Sequence, residues 1–187
     1  MTRFTENLEK AAASAAEILR SDVTSDDEVI VYRQMRQEAH FVAETYHLLR
    51  NKYGAEDFFL EYVYPEKVNV WGKERHLKPD LVYETEDGDE VVEFRALWDG
   101  DIEVDTSEIK SSRQGLISKY VTKLMAYRNL PNKIASLTLV IAYLGPKNLD
   151  KRQHFAIGAF KDSIIYFISS HTKLIKESTP ELRVIVC

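Results

Sequence analysis

Asp80, Glu93 and Arg95 are the residues of this chain whose types and spacing can do chemistry together. They stand in two runs, Lys78-Pro79-Asp80-Leu81-Val82 and Val91-Val92-Glu93-Phe94-Arg95, on either side of the turn signal Asp87-Gly88. That pattern predicts a β-hairpin. A loop centred on Asp87-Gly88 makes facing residue numbers sum to 175, so Asp80 faces Arg95 and Val82 faces Glu93. Side chains alternate along a strand, which puts Asp80, Glu93 and Arg95 on one face. Facing Cβ atoms are roughly 5 Å apart and diagonal ones about 7 Å. Two carboxylates held this close repel unless a cation sits between them. Mg²⁺ or Mn²⁺ takes oxygen ligands from one or two carboxylates and keeps several waters. Such an ion suits phosphodiester hydrolysis, because it polarises the phosphate and activates a bound water. On spacing alone the alternative is a cross-strand ion pair of Asp80 with Arg95 on a solvated face, with Glu93 exposed.

The elements that must position these residues follow from hydrophobic period and punctuation. Phe4, Leu8, Ala11, Ala15 and Leu19 predict a helix over Thr2–Arg20, and Asp22–Glu28 reads as a polar break. Met35, Ala39, Val42, Tyr46 and Leu49 predict a second helix over Val29–Lys52, with Gly54 as its stop. Phe58–Tyr64 reads as a strand ended by Pro65, and Asn69–Trp71 as a short extended piece. After the hairpin strands Lys78–Glu84 and Glu90–Leu97, Thr106–Arg128 predicts a helix with Thr106 as N-cap. Ser136–Leu144 is an apolar run that reads as a buried strand. Leu149–Ser170 is helical, or a strand at Ile164–Ile168, and Leu182–Cys187 is a last strand. Helices flanking a central mixed β-sheet make an α/β fold. No domain boundary is visible, so one domain over residues 1–187 is expected, with residues 1–25 as an N-terminal helical extension.

Pro79-Asp80 followed by Glu93-Phe94-Arg95 resembles the motif of the PD-(D/E)xK nucleases, the restriction-endonuclease-like superfamily. The order helix, strand, hairpin, helix, strand from Val29 to Leu144 follows that family's core, over about two thirds of the chain. The resemblance implies Asp80 and Glu93 as metal ligands, the Phe94 carbonyl as a third, and cleavage of DNA or RNA. The departure is Arg95, where the family has a lysine beside the attacking water. Arginine keeps the charge but cannot act as a base. Either the site is degenerate, with an Asp80–Arg95 ion pair in place of the metal, or the lysine has migrated to the following helix. Lys110 is the candidate for migration, as in the cap-snatching viral endonucleases, while Lys119 and Lys123 are expected to face solvent. The family often adds an acid from the first core helix. Glu38 is the best placed, falling inside the apolar arc of its helix, where a metal, Arg95 or rim solvent would satisfy it. Glu44, His40 and His47 fall outside that arc, and Glu61 is a weaker ligand candidate.

Composition excludes several other classes. The chain has 187 residues, a formal charge of −5 and one cysteine, Cys187. A basic protein that coats nucleic acid is not expected, although a local basic groove is compatible with the charge. No apolar run is long enough to span a bilayer, and no signal-peptide core precedes Glu9. A lone cysteine fits a reducing, cytoplasmic setting. No glycine-rich phosphate loop or Gly-x-Ser-x-Gly elbow is present. Lys73, Arg75, His76 and Lys78 are either phosphate contacts or a solvated strand edge. Trp71, Trp98 and the tyrosines are expected at the core or its rim rather than as base-stacking platforms. A catalytically inactive member serving as a nucleic-acid-binding or interaction module, as a homodimer or within a larger complex, is the alternative to an enzyme.

Overall fold

The computed structural model describes residues 3–22, 30–54, 57–97, 111–144 and 182–187. Lys110, Trp98, Thr106 and the whole of Leu149–Ser170 lie outside them. Two helices, α1 (Arg3–Asp22) and α2 (Ile30–Tyr53), precede the strands β1 (Phe58–Leu60), β2 (Lys67–Val70), β3 (Lys73–His76), β4 (Leu81–Thr85) and β5 (Gly88–Leu97). Helix α3 (Ser111–Ala126), a 3-10 turn (Tyr127–Asn129), β6 (Ile134–Tyr143) and β7 (Leu182–Val186) complete the order. The main sheet runs β1-β4-β5-β6-β7, and β2 with β3 forms a separate two-stranded ribbon. β1, β4 and β5 pair antiparallel, while β5, β6 and β7 pair parallel. The expected mixed α/β architecture is therefore present.

Strict alternation divides the sheet between two cores. Val82, Val91, Leu97, Leu137, Leu139 and Ile141 face α3 and the β2–β3 ribbon. Leu81, Val92, Phe94, Val140 and Ala142 face α1 and α2. β6 is buried on both faces, which is why its sequence is apolar without alternation. Over residues 38–53 of α2 the buried residues are Phe41, Thr45 and Leu49, and Ala39, which the sequence places on the apolar stripe, is exposed. His40 and His47 are exposed, as expected.

The β4–β5 register differs from the sequence-based pairing by two residues. Leu81 faces Val92 and Thr85 faces Gly88, so facing numbers sum to 173. The turn is Glu86-Asp87, one residue earlier than the Asp87-Gly88 centre assumed above. Gly88 instead opens β5 at φ +120°, where the chain passes the Lys133 carbonyl that accepts from Asp89 N at 2.8 Å. An even shift keeps every residue on its expected face but moves each to a different partner.

β1 is shorter than the predicted Phe58–Tyr64, because Glu61 takes φ +52° immediately after Leu60. The extended piece expected at Asn69–Trp71 is part of a hairpin whose two turn residues, Trp71 and Gly72, both have positive φ (+55° and +75°). That is the requirement of a type I′ turn, which favours Asn-Gly. A bulky residue in the left-handed region costs about 1–2 kcal/mol.

Gly88→Ala is expected to destabilise the fold by roughly 2 kcal/mol or more. The added Cβ would overlap the Lys133 carbonyl, and φ +120° is strained for any L side chain. Urea unfolding of the two proteins checks this, and equal midpoints would show that the turn relaxes without loss.

Candidate functional site

The site begins where β4 and β5 part. Their pairing ends at Leu81–Val92, while β5 continues beside β6 as far as Leu97. Pro79 has no N–H to extend the ladder. Past this point the N–H groups of Phe94 and Ala96 need other acceptors, since an unpaired buried amide is costly. Asp80 Oδ2 accepts from Phe94 N at 2.7 Å, and Glu38 Oε2, from α2, accepts from Ala96 N at 3.1 Å. Two carboxylates thus replace the missing strand along one edge.

Glu93 stands on the face toward α3 and is fully buried. Its Oε1 accepts from Tyr127 Oη at 3.0 Å and lies 2.5 Å from Lys123 Nζ. Its Oε2 accepts no hydrogen bond from any described residue, and Arg95 stands 3.5 Å away. The exposed Glu93 of the ion-pair alternative is therefore not what the fold contains. Desolvation, with the nearby charge of Asp80, pushes the Glu93 carboxyl up to about 6, against the lowering pull of Lys123 and Arg95. Burial and the Glu93 charge likewise push the Tyr127 phenol above its ordinary value, so it stays a donor.

Arg95 sits among all three carboxylates. It lies 2.8 Å from Glu38, 3.5 Å from Glu93 and 3.9 Å from Asp80. Its guanidinium carbon is 3.2 Å from the centre of the Tyr120 ring, and the side chain is only 12% exposed. The pairing of Asp80 opposite Arg95 is corrected by the register. The closest partner of Arg95 is Glu38, while Asp80 turns into the gap between the strands.

Lys123 is the functional side chain that sequence reasoning placed wrongly. Its ammonium points into the site, donating to the Lys78 carbonyl at 2.8 Å as well as meeting Glu93. A helical wheel over Thr106–Arg128 puts Ile117, Val121 and Leu124 on one side and turns Lys123 away from them. The stripe that faces the site is Tyr120, Lys123, Leu124 and Tyr127, with Leu124 and Tyr127 fully buried. Aromatic residues three before and four after Lys123 carry that signal. Lys119 is exposed, as expected. Glu61 is drawn away by an exposed ion pair with Lys78 at 2.9 Å.

Glu38, Asp80 and Glu93 outnumber Arg95 and Lys123, so the fully ionised cluster carries one surplus negative charge. Among the described residues no group of three His, Cys, Asp or Glu side chains is arranged to hold a metal. A hard cation with one or two carboxylates and retained waters remains compatible with Asp80 and Glu93, given the buried, unbonded Oε2 of Glu93. Comparison with family models, with curated proteins and with solved structures finds no match to this chain. No helix among the described residues is long and apolar enough to cross a membrane.

Because the folded Glu93 carboxyl titrates above its ordinary value of 4.5, the unfolded chain binds fewer protons between pH 4.5 and 6. Stability relative to Glu93→Gln should therefore fall by up to about 2 kcal/mol as pH rises from 4 to 7. Denaturation of both proteins across that range checks it. A flat difference would mean that Glu93 titrates at its ordinary value. Lys123→Met removes a lowering influence and should move the fall to higher pH.

Proposed function

We propose that this chain is a metal-dependent nuclease of the restriction-endonuclease-like type, acting on DNA or RNA phosphodiesters. The observation that carries the reading is the meeting of Asp80, the buried Glu93 with its unbonded oxygen, and a helix-borne ammonium, Lys123, where β4 and β5 part. Asp80 and Glu93 would hold Mg²⁺ or Mn²⁺, which when bound polarises a phosphate and lowers the pKa of its water. Lys123 supplies a compact ammonium against the charge that develops on the phosphate, the part played in that family by the motif lysine. Tyr127 orients Glu93 by donating to the same oxygen that Lys123 meets. Glu38 holds Arg95 to one side, and Arg95 contributes a fixed positive charge but no base. The mixed sheet with helices on both faces, and the helix–strand–hairpin–helix–strand order, support the same reading.

A second reading has its own observation. Arg95 already lies between Glu38, Asp80 and Glu93 and is stacked on Tyr120, so a guanidinium stands as the site's internal cation. In that case the protein binds nucleic acid or a partner protein without cutting.

One titration separates the two. If metal binds the native state, Mn²⁺ at a hundredfold excess over its Kd adds about 2.7 kcal/mol, or roughly 5–10 °C in Tm for a chain of this size. Asp80→Ala should abolish both that rise and any cleavage. Lys123→Met should keep the rise and lower cleavage at least about tenfold, as expected for loss of transition-state charge stabilisation. Arg95→Lys should raise cleavage, since a shorter ammonium leaves room at the carboxylates. An unchanged Tm with Mn²⁺, and no cleavage by the native or the Arg95→Lys protein, would leave the second reading in place.

A further inference from the structure

Outside the acidic cluster, the tip of the β2–β3 ribbon is a feature among the described residues that the fold does not call for. Trp71 is 49% exposed at a turn position that its own backbone disfavours. An asparagine would suit the turn better, so neither packing nor turn geometry accounts for the indole. Around it the ribbon is basic. Lys73 and Arg75 share one face and are both exposed, while Glu74, the only acid of the two strands, lies on the other face with Lys67, on a chain whose total charge is −5. Arg75 lies over the Trp71 ring at 5.5 Å, which leaves the opposite ring face uncovered by that cation.

The ribbon is also held firmly beside the acids. Val68 and Val70 of β2 and the following Leu77 are buried in the same core as Val121 and Leu124 of α3. Tyr64 N donates to the Leu77 carbonyl at 3.0 Å, and Lys123 donates to the Lys78 carbonyl at 2.8 Å. The chain runs from His76, the end of β3, to Asp80 through three residues, so the helix that carries Lys123 also fixes the root of the ribbon.

We infer that this ribbon is a single-stranded nucleic-acid contact, with an unpaired base stacked on Trp71 and flanking phosphates paired with Lys73 and Arg75, which share one face of the ribbon. An exposed indole offers a π-face that any unstacked base can use, and neighbouring cations supply the backbone contacts. A base inside a duplex is already stacked on its neighbours, so the strand must be single. The inference names where the substrate of the proposed nuclease is gripped, and in that sense rests on that reading, but its test needs no cleavage.

The test is binding of the full chain to labelled single-stranded oligonucleotides, DNA and RNA in separate arms, in EDTA, read by fluorescence anisotropy. Trp71→Asn is the informative variant, because asparagine fits the turn and keeps the ribbon folded. It should keep or raise Tm and weaken binding about fivefold or more, with Trp71→Phe retaining most of the affinity. Lys73→Ala and Arg75→Ala should each reduce the slope of log affinity against log salt by about 0.7. Undiminished single-strand binding by Trp71→Asn overturns the inference, as does equal affinity for a duplex of the same sequence. Loss of binding in Trp71→Asn, in a protein that cuts nothing with Mg²⁺ or Mn²⁺, keeps the inference and removes the nuclease reading. Cleavage that Trp71→Asn leaves untouched, at substrate below saturation, does the reverse.

Discussion

The early parting of β4 from β5 is the constraint on which the rest of the site depends. Once the ladder ends at Leu81–Val92, two amides of β5 face a gap instead of a strand. A carboxylate is the strongest acceptor that a side chain offers. Asp80 and Glu38 fill that need, and their charge is brought to the sheet's edge by a backbone requirement. Glu93, one residue before the first orphaned amide, adds a third carboxylate on the face toward α3. The cations follow from the anions. Arg95 from the same strand and Lys123 from the helix are drawn in because the buried Glu93, beside the part-exposed Asp80 and Glu38, would not tolerate standing unrelieved.

Arginine and lysine divide the work by shape. The planar guanidinium of Arg95 reaches Glu38, Glu93 and Asp80 from one position and lays its face on Tyr120. Lys123 has no such fork, and it acts as a point charge at the one carboxylate that lacks solvent altogether. The site's positive charge is divided between a strand, which carries Arg95, and a helix, which carries Lys123. The proposed chemistry needs the helix-borne half.

In the sequence β5 and β6 were legible as strands, but because both faces of each are buried only the structure shows which residues face α3 and which face α1 and α2. The Asp87-Gly88 pair marked the hairpin, and the parity of its register survived even though the pairing moved by two, since Gly88 opens β5 and takes no place at the turn centre. Glu38 was legible as an acid on a core-facing arc. Lys123 was not, because a wheel centred on Val121 turns it away, whereas the side of the helix that meets the site carries Tyr120, Lys123 and Tyr127. Trp71, expected at the core or its rim, is instead a half-exposed turn residue, because the positive φ at Trp71 and Gly72 makes the ribbon's turn at a position that an aromatic seldom takes.

The short link between ribbon and sheet sets a length. Asp80 follows Trp71 by nine positions, so even a fully extended chain holds the two no more than about 30 Å apart. A strand stacked at about 3.4 Å per nucleotide covers that distance in roughly nine nucleotides, and a stretched strand needs fewer. On the proposed reading the ribbon and the carboxylates bound a span of at most about 30 Å, and an oligonucleotide shorter than the actual separation could occupy only one of them.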